Sequence, residues 1–430
     1  MPPLTKLLSL TVLATLAACT SSQAEMSLPG LDYLNRVWVD AEGNTYSVIQ
    51  QPGGQLTIHQ PTTGDFFVYQ RTNGSFTGRP THAPPLVLQQ EKLLLGEQQL
   101  LPADVIAQEI SFSNRGIQFY GILTIPRSDR PVPLVVNSHG SERDAATTFD
   151  WAAAWYTEAG FATFIFDKRG TGRSGGKFTN DFDILASDLE AAIAAVSDNP
   201  LIDARLIGAG GYSQGVYVTT LAASRNSAIR FIIASFGVVQ SPLMEDFQET
   251  QLHFLANYPE ADWNRFRLLV EACGEAFALG NSSQWKLVRQ YRKEWRGKID
   301  PGTLAGTLTG DGCLPWPGFA LRLVGRSQFP PGLDWSHNPI PLVEGLDIPI
   351  IWQYGEADED APAEESVMQI QNWIADGKPF IVHTYANAAH GIYLTATDAD
   401  GNSYRYKDPT YIRQLIEWLK QRNVEHLVKY

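Results

Sequence analysis

A serine flanked two residues away on either side by glycine, in Gly211-Tyr212-Ser213-Gln214-Gly215, stands between the apolar run 206–210 and the helix-forming run 216–224. A strand that passes into a helix through so short a segment must turn sharply. The turn puts its central residue in a strained backbone conformation and brings neighbouring chain close to the positions two before and two after it. Glycine at both positions meets that demand. The Ser213 hydroxyl is then left projecting beyond the end of the strand, where an activated nucleophile would be presented.

From residue 103 onward, strand-like and helix-like runs alternate. Residues 105–114 and 118–126 read as a hairpin about Arg115-Gly116, and 133–137 as a buried strand followed by a helix over 145–158. A strand at 161–166 and a helix at 182–196 lead to the serine turn; strands at 230–236, 348–354 and 380–385 and helices at 364–375 and 410–422 follow it. Alternation of this kind predicts an α/β fold, a mostly parallel sheet with helices on both faces. Residues 31–102 differ. Short runs at 36–39, 46–50, 56–59 and 66–70, separated by the turn sequences Glu42-Gly43-Asn44, Pro52-Gly53-Gly54 and Thr63-Gly64-Asp65, predict a small β-rich N-terminal domain. Pro80 and Pro84-Pro85 mark an extended connector after it, and His59 and His82 read as surface or capping residues. The catalytic core is expected over 103–240 and 346–430, interrupted by a helical cap over 241–345, which is far too long for a simple crossover. The cap's helical pieces, 248–258, 262–279 and 284–298, carry Phe254, Trp263, Phe266, Trp285, Tyr291 and Trp295, with Trp316, Phe319 and Trp335 beyond; such aromatics either line a substrate pocket or form the cap's own core.

The order of these elements around Ser213 resembles the α/β-hydrolase superfamily from about residue 105 to 424. The resemblance implies a triad in the chain order Ser, Asp, His. Ile351-Trp352-Gln353-Tyr354-Gly355-Glu356-Ala357-Asp358, with Pro362 beyond, resembles the superfamily's strand and acid loop. It implies Asp358 as the acid, with Glu356 and Asp360 as neighbouring alternatives. His390, in a loop after the strand 380–385, is implied as the base, while His383 and His426 read as structural. His139-Gly140-Ser141 resembles the loop that supplies one backbone N–H of an oxyanion hole, from Ser141 or Gly140, the other coming from Gln214. Asp167-Lys168-Arg169-Gly170-Thr171-Gly172-Arg173-Ser174 resembles a structural loop of the same superfamily and lacks both phosphate-binding patterns. The segment 334–346 is similar to the return segment of secreted esterases and prolyl-oligopeptidase-like hydrolases. A serine hydrolase acting on a small-molecule acyl substrate follows, with a carboxylic ester first and no metal or organic cofactor. A thioester, or a peptide cleaved from its free amino terminus, is the alternative. The peptidase would be marked by a carboxylate cluster in the cap; Glu271 and Glu275 stand one turn apart, as residues on a solvated helix face also do. A ligand-binding envelope lipoprotein without catalysis is the contrasting class.

The lipoprotein expectation comes from the first residues. Lys6 precedes an apolar stretch, 7–18, too short to span a bilayer, which ends in Leu16-Ala17-Ala18-Cys19 and resembles a lipobox. That implies a signal peptide over 1–18, lipidation at Cys19, a linker over 19–30 and, with Thr20 after the cysteine, an anchor in the outer membrane facing the periplasm. Acidic residues outnumber basic ones 46 to 33, a formal charge of -13, which argues against nucleic acid as a partner. Cys273 and Cys313 remain as an even pair, either a disulfide or two buried thiols.

Overall fold

The computed structural model describes residues 34–429 apart from 52–53, 74, 90, 150 and 317–331; the expected signal segment, Cys19, the expected linker and Phe319 lie outside the described residues. Short β-rich runs make the first sheet: β1 (Val37–Val39), β2 (Thr45–Gln51), β3 (Gln55–Gln60), β4 (Asp65–Thr72), β5 (Ser75–Arg79), β6 (Leu86–Gln89), β7 (Lys92–Leu95) and β8 (Gln98–Pro102). Their spatial order is β5-β4-β3-β2-β1-β8-β7-β6. The stretch expected as a connector therefore supplies three more strands, whose Leu86, Leu93, Leu95 and Leu100 join Trp38, Tyr46, Leu56 and Tyr69 in one apolar cluster. His59 is not at the surface as expected. It is fully buried, because strand alternation turns it away from that cluster onto Phe66, Trp151 and Trp155, where this sheet packs on the next domain.

The second sheet holds β9 (Val105–Asn114), β10 (Ile117–Pro126), β11 (Val132–Ser138), β12 (Ala162–Phe166), β13 (Ile202–Tyr212), β14 (Ile229–Ser235), β15 (Ile350–Gly355) and β16 (Phe380–Tyr385). Their order is β16-β15-β14-β13-β11-β12-β10-β9; β9 and β10 form an antiparallel hairpin, β10 pairs antiparallel with β12, and from β12 to β16 every pairing is parallel. Helix α1 (Ala152–Glu158) packs on one face, α2 (Phe182–Ser197) and α3 (Gly215–Arg225) on the other. The side chain of Asp181 caps α2 by accepting from Ile184 N–H at 3.1 Å.

Between β14 and β15 the chain leaves the sheet and builds the cap from α4 (Pro242–Asn257), α5 (Glu260–Phe277) and α6 (Trp285–Trp295). Phe254, Trp263, Phe266, Trp285 and Trp295 pack on one another as the cap's own core, and Trp316 is exposed. Cys273 on α5 and Cys313 are disulfide-bonded, with Cα atoms 6.1 Å apart. The chain returns through α7 (Ile340–Glu344) and closes with α8 (Glu364–Ala375) and α9 (Pro409–Lys429) on opposite faces of the sheet. Between β16 and α9 lies a hairpin absent from the sequence reading, β17 (Tyr393–Thr397) and β18 (Ser403–Lys407). No described helix is long and apolar enough to cross a membrane.

Candidate active site

At the end of β13 the backbone reverses so sharply that Ser213 has φ +52°, held by its N–H donating to Ser235 O at 3.0 Å. Side chains are excluded beside it. A Cβ on Gly211 would meet Gly215 O at 2.6 Å, and one on Gly215 would meet Ser138 O at 2.0 Å, so strand, helix and the end of β11 close on the turn only because both positions lack one.

Two loops after β15 and β16 bring the remaining polar groups to the serine. His390 Nε2 lies 3.1 Å from Ser213 Oγ, and its Nδ1 lies 2.9 Å from Asp358 Oδ2 and 3.1 Å from Oδ1. The two loops are tied by Ala357 N–H donating to Ala388 O at 2.9 Å, and Asp358 Oδ1 also accepts from Ala361 N–H at 2.9 Å. The carboxylate is buried and the imidazole part-exposed. Burial disfavours the imidazolium, but the bond to Asp358 and the charges of Asp358, Asp360 and Glu245 outweigh it and raise the His390 pKa above its ordinary value. Of the alternatives, Glu356 accepts from Thr384 Oγ1 instead, His383 lies within β16, and His426 bonds Asp203.

The His139 loop passes directly over the serine: a Cβ on Gly140 would lie 3.3 Å from Ser213 Cβ. Gly140, Ser141 and Ser213 line one cavity, and Gln214 opens α3 beside it. His139 is buried, with Nδ1 2.9 Å from Glu142 Oε1; Gly140 O accepts from the buried Lys168 ammonium, which burial lowers to about 8. Asp167 fastens the neighbouring loop by accepting from Thr147 and Arg173 N–H groups, whereas Arg169 reaches outward to Asp188 on α2.

The cavity holds about 590 Å³. Among the described residues, its aromatic lining is Phe149, Trp151, Trp155, Tyr212, Phe236, Tyr393 and Tyr411, all from the core domain and the β17–β18 hairpin and none from the cap. The cap contributes charge instead. Glu245, Asp246 and Glu249 of α4, with Asp360, line a cleft that also contains Ser213 and Gln214. Burial raises the three α4 carboxyls, Glu245 and Asp246 to about 7 and Glu249 to about 9, with repulsion from neighbouring acids adding to it. Glu271 and Glu275 lie elsewhere, bonded to Arg267 and to Asn281 and Gln284. The sequence reading began the first cap helix six residues late and so missed Glu245 and Asp246. The signal was Ser241-Pro242, where Ser241 caps the helix and proline occupies its first turn.

Residues 147–266 match the Prolyl oligopeptidase family. A polyketide transferase, grgF, from a Penicillium species is 30% identical over 118 residues, which are 27% of this chain and 40% of that protein, so the chain spans less than half of the relative it matches. Among solved structures, an esterase of Pyrococcus furiosus is 16% identical with a TM-score of 0.43, covering 76% of this chain and 92% of its own. A puromycin-hydrolyzing peptidase of Mycobacterium tuberculosis is 14% identical with a TM-score of 0.46, covering 90% of this chain and 53% of its own. The matched span runs from α1 through the serine turn into the cap. The match is a similarity over that span, and the strand order of the second sheet with its sharp β13–α3 turn is that of an α/β-hydrolase fold.

Proposed function

We propose that the protein is a serine hydrolase that cleaves carboxylic esters through an acyl-enzyme, with Ser213, His390 and Asp358 as its triad. The observation that carries this is the continuous relay from Asp358 Oδ2 through His390 to Ser213 Oγ, at 2.9 and 3.1 Å, ending in a cavity. His390 takes the Ser213 proton as the oxygen attacks the ester carbonyl; Asp358 holds the Nδ1–H tautomer and stabilises the imidazolium. Backbone N–H groups of Gln214 and of Ser141 or Gly140 stabilise the oxyanion, each donor lowering the barrier by about 3 kcal/mol. His390 returns the proton to the leaving alcohol, then removes one from water, which releases the acid and restores Ser213. Incubation with a fluorophosphonate followed by mass spectrometry tests the reading: one adduct on Ser213, absent in Ser213→Ala, is expected, and a folded protein without an adduct contradicts it.

A second substrate reading is favoured by the carboxylates of Glu245, Asp246, Glu249 and Asp360 beside Ser213. A cluster of that kind suits a substrate with a free amino group, as in an aminopeptidase-like enzyme. Rates on aminoacyl p-nitroanilides against p-nitrophenyl esters separate the two. Lipidation at Cys19 and a periplasm-facing outer-membrane anchor are further parts of the proposal, tested by the mass of the mature N-terminal peptide.

A further inference from the structure

Lys407, the last residue of β18, is a buried cation facing the same cavity as Ser213. Its ammonium donates to Gly391 O and sits 3.9 Å from the Tyr393 ring centre, with Phe236 at 5.2 Å and Tyr411 at 5.9 Å. Arg405, two residues earlier on the same face of the strand, lines the cavity from an exposed position and lies over the same ring, 5.1 Å from the Tyr393 centre. Among the described residues, no carboxylate pairs with either cation; Arg169, paired with Asp188, shows the usual solution for a buried charge. Glu245 and Asp360 line the cavity too, but from α4 and the acid loop, and neither is bonded to Lys407.

An ammonium has three N–H groups, and the Gly391 carbonyl accepts one. Aromatic faces stabilise the charge but do not neutralise it. Desolvation by burial, with repulsion from Arg405, brings the Lys407 pKa down to about 7, as expected of a cation without a counter-charge. An anion entering the cavity would supply that counter-charge in a site with little competing water, where a charge-assisted bond is strong. We propose that Lys407, with Arg405 at the rim, forms an anion subsite that selects esters carrying a carboxylate on the acyl or the leaving group. This rests on the reading of Ser213 as the nucleophile.

The test uses the full-length chain and matched ester pairs. p-Nitrophenyl hemiadipate against p-nitrophenyl hexanoate puts the charge on the acyl group; the butyrate esters of 4-hydroxybenzoate and 4-hydroxybenzamide put it on the leaving group. The wild type is expected to favour the charged member of one pair by about 10- to 100-fold in kcat/KM, the range of one bond to a charged group. Lys407→Met should bring that ratio to about one, Lys407→Arg should keep most of it, and Arg405→Gln should lower it in part. A wild-type ratio near one in both pairs overturns the proposal, as does an unchanged ratio in a Lys407→Met protein that still takes the fluorophosphonate. Should Lys407→Met fail to fold, inhibition of the wild type by adipate against adipamide decides: no advantage for adipate overturns the subsite. Absence of the Ser213 adduct in the wild type would sink the hydrolase reading separately. Calorimetric titration with adipate would then still decide the anion site.

Discussion

His390 sits where burial and negative charge pull its proton in opposite directions, and charge prevails. A general base works only when unprotonated, so a raised pKa moves the acid limb of the rate profile upward. The kcat/KM of the wild type should therefore rise with a midpoint above 6.5. Asp360→Asn removes one of the charges that hold the proton, and should shift that midpoint down without abolishing turnover, as stopped-assay rates from pH 5 to 9 would reveal. An unmoved midpoint would mean that solvent screens Asp360 from the imidazole. Asp358→Asn is a different kind of change. It leaves the shape but favours the wrong imidazole tautomer, and a fall in kcat of about 10³- to 10⁴-fold with a modest change in KM is expected.

At the scale of elements, the serine turn and the cap were legible to different degrees. Ser213 and Asp358 each follow a strand of mostly buried residues, and His390 follows β16, whose β-forming run begins and ends in the buried Phe380 and Tyr385, so local sequence was enough to locate their loops. The β17–β18 hairpin was not read, because its strands are part-exposed and mixed in character, although Tyr393-Leu394-Thr395-Ala396-Thr397 alternates and the Asp398 side chain caps a Gly401-containing turn. That omission hid Tyr393, Arg405 and Lys407. The origin of the cavity's aromatic lining was equally invisible, since no local pattern says which aromatic faces a neighbour across the fold. Two elements yield predictions. Gly215→Ala would drive a Cβ into Ser138 O, a backbone atom that cannot swing away, and should lower stability by about 1–3 kcal/mol and disrupt the serine turn; denaturant titration and fluorophosphonate labelling report the two effects. In the cap, the bond between Cys273 and Cys313 closes a separation of 40 residues, for which chain entropy gives about 4 kcal/mol. Replacing both cysteines by alanine should therefore expose the cap to proteolysis before the core, visible as early cleavage within 241–345.

Across the whole molecule, the N-terminal sheet is seated on the α/β domain. Ser47 Oγ donates to Trp151 O at 2.6 Å, Lys407 N–H donates to Gly64 O at 2.8 Å, and Phe66 backs both Trp151 and Tyr393, which line the cavity. A cavity wall thus depends on two domains, while its opposite chemistry, the carboxylates of α4, depends on the cap. Those carboxylates link the cap to pH. Asp246 and Glu249 hold their protons to about 7 and about 9 in the folded protein, above their ordinary values, so between pH 4 and pH 9 the folded state binds more protons than the unfolded one. Stability from these groups is fully present below pH 4 and is lost as pH rises through those values. Other groups oppose the trend: Lys407 and the buried His59 have lowered pKa values and so favour folding as pH rises through theirs. A difference between two proteins cancels such shared contributions. Asp246→Asn combined with Glu249→Gln keeps the acceptor for Leu308 N–H and cannot ionise. Its melting temperature should match the wild type at pH 4 and exceed it progressively toward pH 9, by scanning calorimetry in matched salt. A constant offset across that range would show that solvent reaches the cleft and that the cap carries no stored charge.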